Sequence, residues 1–176
     1  MSFNVVNTRI VWSVASKAPT TGAALAIPAN THLWMGSGPG LEIKKTQGKE
    51  FELEAVRQGP AETGDVVFTD GTPLGFNHLI HVVVMGQDLQ WVEGAGDRAG
   101  ESLLRRCEEK KIRDVVAHPF HRGVTTATLE PAREMLGSFL RVMEEGVAVD
   151  CVTVLVADSD EQKLLQDLFL QLLSGS

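Results

Sequence analysis

Residues 26–40 read AIPANTHLWMGSGPG: an apolar run closes on Asn30, and three glycines and a proline then fall within five positions, ahead of LEIKKTQGKEFELEAV at 41–56. The preceding AALAI, 23–27, is apolar without alternation, the pattern of a strand covered on both faces of an α/β sheet. The following segment spaces Leu41, Ile43, Phe51, Leu53 and Val56 among Glu and Lys, which predicts one or two amphipathic helices broken near Gly48. The order is therefore strand, glycine loop, helix. Such a loop is either only a turn or a set of backbone N–H groups aimed at an anion. Gly36, Ser37, Gly38 and Gly40 keep bulk away from the main chain, and the positive end of the helix dipole favours phosphate. Pro39 removes one donor. Neither GxGxxG nor GxxxxGK[ST] is matched, so no standard dinucleotide or nucleoside triphosphate motif is present.

Working outward, FNVVNTRIVWSV (3–14) predicts one or two strands, and VVFT (66–69) and HLIHVVVM (78–85) two more. Helical spacing marks 97–112 and 128–145, where Pro131 is tolerated in the first turn. RDVVAHPF (113–120) and VDCVTVLVAD (149–158) read as strands, and SDEQKLLQDLFLQLL as a closing helix with a Ser or Asp cap. Strands alternating with helices imply βαβ units and a largely parallel sheet with helices on both faces. Ligands in such sheets bind at the carboxyl ends of the strands, which brings together residues 30–40 and 118–126.

Composition restricts the function. The chain has 176 residues, enough for one domain with its own core, and a formal charge of -7, which disfavours duplex phosphates. Aromatics are 6% with no Tyr, a poor stock for stacking single-stranded bases. The basic pieces Lys44-Lys45 and LLRRCEEKKIR (103–113) are interleaved with acids and read as solvated helix faces. Cys107 and Cys151 lack metal spacing and are expected as free thiols in a reducing compartment. The N-terminus has no secretory pattern, and no apolar run approaches the roughly 20 residues of a membrane span. A cytoplasmic protein without membrane partner is expected. Asp70, Asp88 and Asp97 have no His or Cys companion at ligand spacing, so neither a metal nor another cofactor is expected.

The second loop, HPFHRGVTTAT at 118–128, offers His118, His121, Arg122, Gly123, Val124, Thr125 and Thr126. Arg122 can fork onto phosphate oxygens and the threonines can donate hydroxyls. An ordinary strand-to-helix loop, with Thr126 or Thr128 as helix cap, accounts equally well for these residues.

Taken in order, ALAIPAN…WMGSGPGLEIKKTQG, VRQGPAETGDVVFTDGTPLGFNHLIHVVV and IRDVVAHPFHRGVTT resemble successive motifs of the macro domain family over about residues 10–170. The resemblance implies a three-layer α/β/α sandwich with a central mixed, largely parallel sheet, filling 1–176 as a single macro-like domain, and a site for ADP-ribose or a related nucleotide. By that resemblance Asn30 falls near the distal ribose. Gly36, Ser37 and Gly38 correspond to the first phosphate loop, and Gly123 and Val124 to the second, whose amides hold the diphosphate. His81 matches a strand histidine, read as structural. The chain also departs from the family pattern. No acid lies near Ser16, where the adenine-binding residue falls. Ala157 replaces an aromatic that packs on the base, and Thr125 and Thr126 replace a bulky residue and a glycine. Gly40 stands where the hydrolytic branch has aspartate, and Pro28 replaces the first asparagine of the family's NAAN motif, whose last asparagine Asn30 matches.

Three functions remain open. The first is a binding module for ADP-ribose or a related phosphorylated ligand. The second is a hydrolase of ADP-ribosyl or phosphoester bonds that uses His118, His121 or Asp70 as base. The third is a ligand-free scaffold, in some cases a homo-oligomer, acting through Trp34 or Trp91.

Overall fold

The computed structural model describes residues 2–15 and 22–175. Seven strands form one sheet in the order β1-β2-β7-β6-β3-β5-β4. They are β1 (Ser2–Val5), β2 (Thr8–Val14), β3 (Gly22–Asn30), β4 (Val66–Asp70), β5 (Phe76–Met85), β6 (Asp114–Ala117) and β7 (Cys151–Val156). The five inner strands are parallel; β1 and β4 pair antiparallel at the two edges. The helices are α1 (Gly38–Gln47), α2 (Glu50–Gln58), α3 (Ala95–Glu109), α4 (Glu130–Glu144) and α5 (Ser159–Ser174). The helical segment after the glycine loop does divide at Gly48, whose φ of 95° suits glycine.

Alternation along the unbroken apolar strands sorts their side chains onto two covered faces. Ala24, Ala26, Ile80, Val82, Val115, Ala117, Val152 and Val154 pack with Leu103, Leu104, Met135, Phe139 and Phe169 of α3, α4 and α5. Leu25, Ile27, Leu79, Val116 and Leu155 pack with Met35, Ile43 and Phe51 on the side of α1 and α2. This is an α/β/α sandwich. Each large side chain removed from water contributes about 1.5–3 kcal/mol, and Phe3, Trp12 and Phe169 add ring contacts at 5.4–5.6 Å between centroids.

The predicted cap of α5 is Asp158, whose Oδ1 accepts the Glu161 N–H at 2.9 Å. Thr128 Oγ1 accepts the Glu130 N–H at the start of α4. Cys107 and Cys151 are both unpaired; Cys107 is buried, and burial pushes its thiol up to about 12. No helix among the described residues is long and apolar enough to cross a membrane.

Candidate functional site

The parallel strands end together, and β2, β7, β6 and β3 are neighbours, so the turns leaving them share one rim of the sheet. A cleft of about 470 Å³ opens there. Its apolar lining comes from Leu25 of β3, Leu155 and Val156 of β7, and Pro39, Leu41 and Ile43 of α1. Its polar lining is Glu42, His118 and Arg122.

The glycine loop brings the N-terminus of α1 to this cleft. Ser37 is the N-cap residue, in extended conformation, but its hydroxyl accepts no helix amide. Among the described residues the amides of Gly36, Ser37 and Gly38 have no acceptor, so the first turn of α1 presents uncapped donors. The second loop touches the first directly: a Cβ on Gly38 would lie 2.8 Å from both the N and the Cα of Gly123. Both glycines have positive φ, 56° and 87°. The two segments that the sequence places at one rim are thus in van der Waals contact.

The remaining site residues divide into engaged and unengaged groups. Asn30 is 2% exposed. Its Oδ1 accepts the N–H groups of His32 and Trp34 at 3.0 and 3.3 Å, and its Nδ2 donates to the Trp34 carbonyl at 2.8 Å. It therefore ties up its own turn. A space of only about 10 Å³ remains beside it, bordered by Ser37, Gly40 and His81 among others. In the second loop the amides of Arg122, Val124 and Thr125 donate to the carbonyls of Pro119, His121 and Leu89, while among the described residues the Gly123 amide has no acceptor. The Thr125 hydroxyl accepts from Gln90 Nε2 at 2.8 Å and the Thr126 hydroxyl bonds Gln90 Oε1.

Arg122 pairs through one guanidinium nitrogen with Glu161, near the start of α5. His121 Nε2 lies 3.9 Å from the same carboxylate. Burial lowers the His121 pKa, Glu161 opposes that shift, and Arg122 adds to it. The His118 amide donates to the Ala26 carbonyl at 3.0 Å, but among the described residues its imidazole has no hydrogen-bond partner; burial with the Arg122 charge pushes its pKa down to about 4, so it borders the cleft as neutral imidazole. His81 is 1% exposed and its Nε2 lies 3.0 Å from Thr69 Oγ1; burial lowers its pKa to about 4.

Asp70 lies elsewhere. β4 runs antiparallel to β5 and pairs Asp70 with His78, near the start of β5. This puts Asp70 at the opposite rim from the two loops, where it cannot join His118 and His121 in a reaction. Trp34 is 48% exposed and packs edge-on against His32. Trp91 is only partly exposed, because its Nε1 donates to Glu134 at 3.0 Å. Ser16, the place of the missing adenine-binding acid, lies outside the described residues. Among the described residues no group of three or more His, Cys, Asp or Glu could hold a metal ion.

Sequence reading did not identify Glu161 as the partner of Arg122, nor Leu25, Ile43 and Leu155 as cleft lining. The run DSDE at 158–161 signals a helix start, and its Glu turns back to accept the Ala157 N–H at 3.3 Å, but nothing local names an arginine 39 residues earlier.

Comparison with known proteins agrees with this architecture. An uncharacterized protein of Aeropyrum pernix is 32% identical over 124 residues, 67% of this chain and 65% of its own length; the chain thus spans just under two thirds of that relative. One from Aquifex aeolicus is 28% identical over 137 residues, 77% of this chain and 81% of its own. The Oceanobacillus iheyensis macrodomain with ADP superposes with a TM-score of 0.82 at 22% identity, covering 100% of this chain and 97% of that one. A mutant of that protein with ADPR gives 0.81 at 21% identity, covering 100% and 99%. At such identities the likeness is one of fold. The Macro domain family model matches residues 27–136, more than half of the sequence, and the chain therefore belongs to the macro domain family.

Proposed function

We propose that this protein binds ADP-ribose or a related phosphorylated nucleotide in the cleft at the carboxyl rim of its sheet. The observation that carries the reading is the juxtaposition, in one 470 Å³ cleft, of an apolar wall, the uncapped N-terminus of α1 and the Arg122 guanidinium. Leu25, Ile43 and Leu155 offer a flat apolar ring a place out of water. The amides of Gly36, Ser37, Gly38 and Gly123 offer phosphate oxygens neutral donors at a helix N-terminus. Arg122 has donors left beyond the one that Glu161 takes, and can add charge-assisted bonds. His118, neutral near pH 7, can donate or accept a hydrogen bond without adding charge. Family membership and the ADP and ADPR ligands of the Oceanobacillus iheyensis protein support the same ligand class.

Isothermal titration with ADP-ribose, ADP and AMP tests this. Saturable binding that Arg122→Ala weakens about 10- to 100-fold is expected, since a hydrogen bond to a charged group contributes about 1.5–3 kcal/mol. Absence of saturable heat with all three ligands would overturn the proposal.

A further inference from the structure

We infer that Glu42 selects ribose over deoxyribose in the bound nucleotide, its carboxylate accepting the 2′- and 3′-hydroxyls of the sugar that joins the base to the phosphates. The inference rests on the binding function proposed above and adds a specificity-determining residue to the same cleft. It begins from a charge of the wrong sign. Glu42 lines a cleft whose Arg122 and uncapped α1 N-terminus suit an anion, and a carboxylate there repels phosphate. The acids of the neighbouring turns and helices are engaged. Glu161 accepts from Arg122 and from the Ala157 N–H, Asp158 caps α5, and Glu52 pairs with Lys44 while accepting the Met35 N–H. The Glu42 carbonyl accepts the Thr46 hydroxyl at 2.8 Å, but among the described residues its carboxylate has no partner.

Position along α1 decides which part of a nucleotide this carboxylate meets. Gly38 marks the phosphate end, because a Cβ placed on it would stand 3.0 Å from the Arg122 carbonyl carbon. Glu42 comes four residues later in the same helix, so it shares that face about 6 Å further along the axis. In a nucleotide the sugar follows the phosphate, and the base follows the sugar. Leu25, Ile43 and Leu155 suit the apolar faces of the base. The sugar needs acceptors instead: the cis-diol of ribose presents two adjacent O–H donors, and a carboxylate accepts through two oxygens. Deoxyribose presents only one of those donors.

The test is a parallel titration of the full chain, Glu42→Ala and Glu42→Gln with ADP and 2′-deoxy-ADP at one salt concentration. The parent is expected to bind ADP about tenfold more tightly, the lower end for a hydrogen bond to a charged group because Glu42 is exposed. Glu42→Ala should reduce that preference to about twofold or less by weakening ADP more than 2′-deoxy-ADP, while Glu42→Gln, which keeps one acceptor oxygen, retains part of it. A carboxylate that merely repels phosphate gives the opposite result: Glu42→Ala then binds both ligands more tightly by the same factor. That outcome, equal affinities in the parent, or a preference that survives Glu42→Ala overturns this inference and leaves the binding proposal standing. Failure of ADP, 2′-deoxy-ADP and ADP-ribose to bind the parent overturns both, so the two failures are distinguishable.

Discussion

Gly38 and Gly123 meet backbone to backbone: a Cβ on the first would stand 2.8 Å from the Cα of the second. Gly38 also has φ 56°, where an L side chain costs about 1–2 kcal/mol. Gly38→Ala is therefore expected to lower stability by at least that amount. Gly36→Ala, with nothing within 4 Å of its added Cβ, stays within about 0.5 kcal/mol of the parent. Urea unfolding of the two variants measures the difference, and equal midpoints would refute the contact.

Arg122 and Glu161 form an ion pair at the edge of the proposed ligand cleft, with the carboxylate in competition with any phosphate for the guanidinium. Glu161→Gln removes that competitor and a like charge beside the ligand. Affinity for ADP is expected to rise a few-fold, and to fall more steeply with added salt than in the parent, because an unpaired arginine relies on exposed charge. Titration at two ionic strengths decides it; weaker ADP binding in the variant would contradict the proposed competition.

His81 is neutral in the fold, with burial lowering its pKa from 6.5 to about 4. Between those values the unfolded chain binds the proton and the folded chain does not. The histidine's contribution is thus present above pH 6.5 and is lost as pH falls towards 4, by about 3 kcal/mol in all. His118 acts in the same direction. His81→Gln should flatten the acid side of the stability curve measured by urea unfolding between pH 7 and 4; an unchanged slope would contradict the assignment.

Glu134 of α4 caps a helix that is not its own. Its carboxylate accepts the amides of Gly94 and Gly96 at 2.6 and 3.0 Å, at the start of α3, and the indole N–H of Trp91 at 3.0 Å. Truncation strands three donors. Glu134→Ala is expected to cost about 2–3 kcal/mol, with Glu134→Gln less harmful because it keeps an acceptor oxygen. Thermal melts of both variants order them, and a melt of Glu134→Ala equal to the parent would refute the cap.

The fold was legible in the sequence wherever one local pattern had one solution. AALAI without alternation marked a strand covered twice, and Gly48 and Pro131 punctuated helices where the structure has them. Strand direction was not legible, because the hydrophobic pattern of β4 is the same whichever way it runs; only pairing with β5 sends Asp70 to the far rim. The meeting of the two glycine loops followed from topology. The inward turn of Asn30, the grip of Gln90 on the two threonines and the Arg122–Glu161 pair are long-range or rotamer choices, fixed only when the chain is packed.

The cleft is walled by Leu25, Ile43, Arg122 and Leu155, residues drawn from segments separated by most of the chain. No fragment carries the pocket, so occupancy reports on completion of the whole fold. A bound nucleotide would protect β3 and β7 from hydrogen exchange together, acting as a fastener between the first third of the polypeptide and its last.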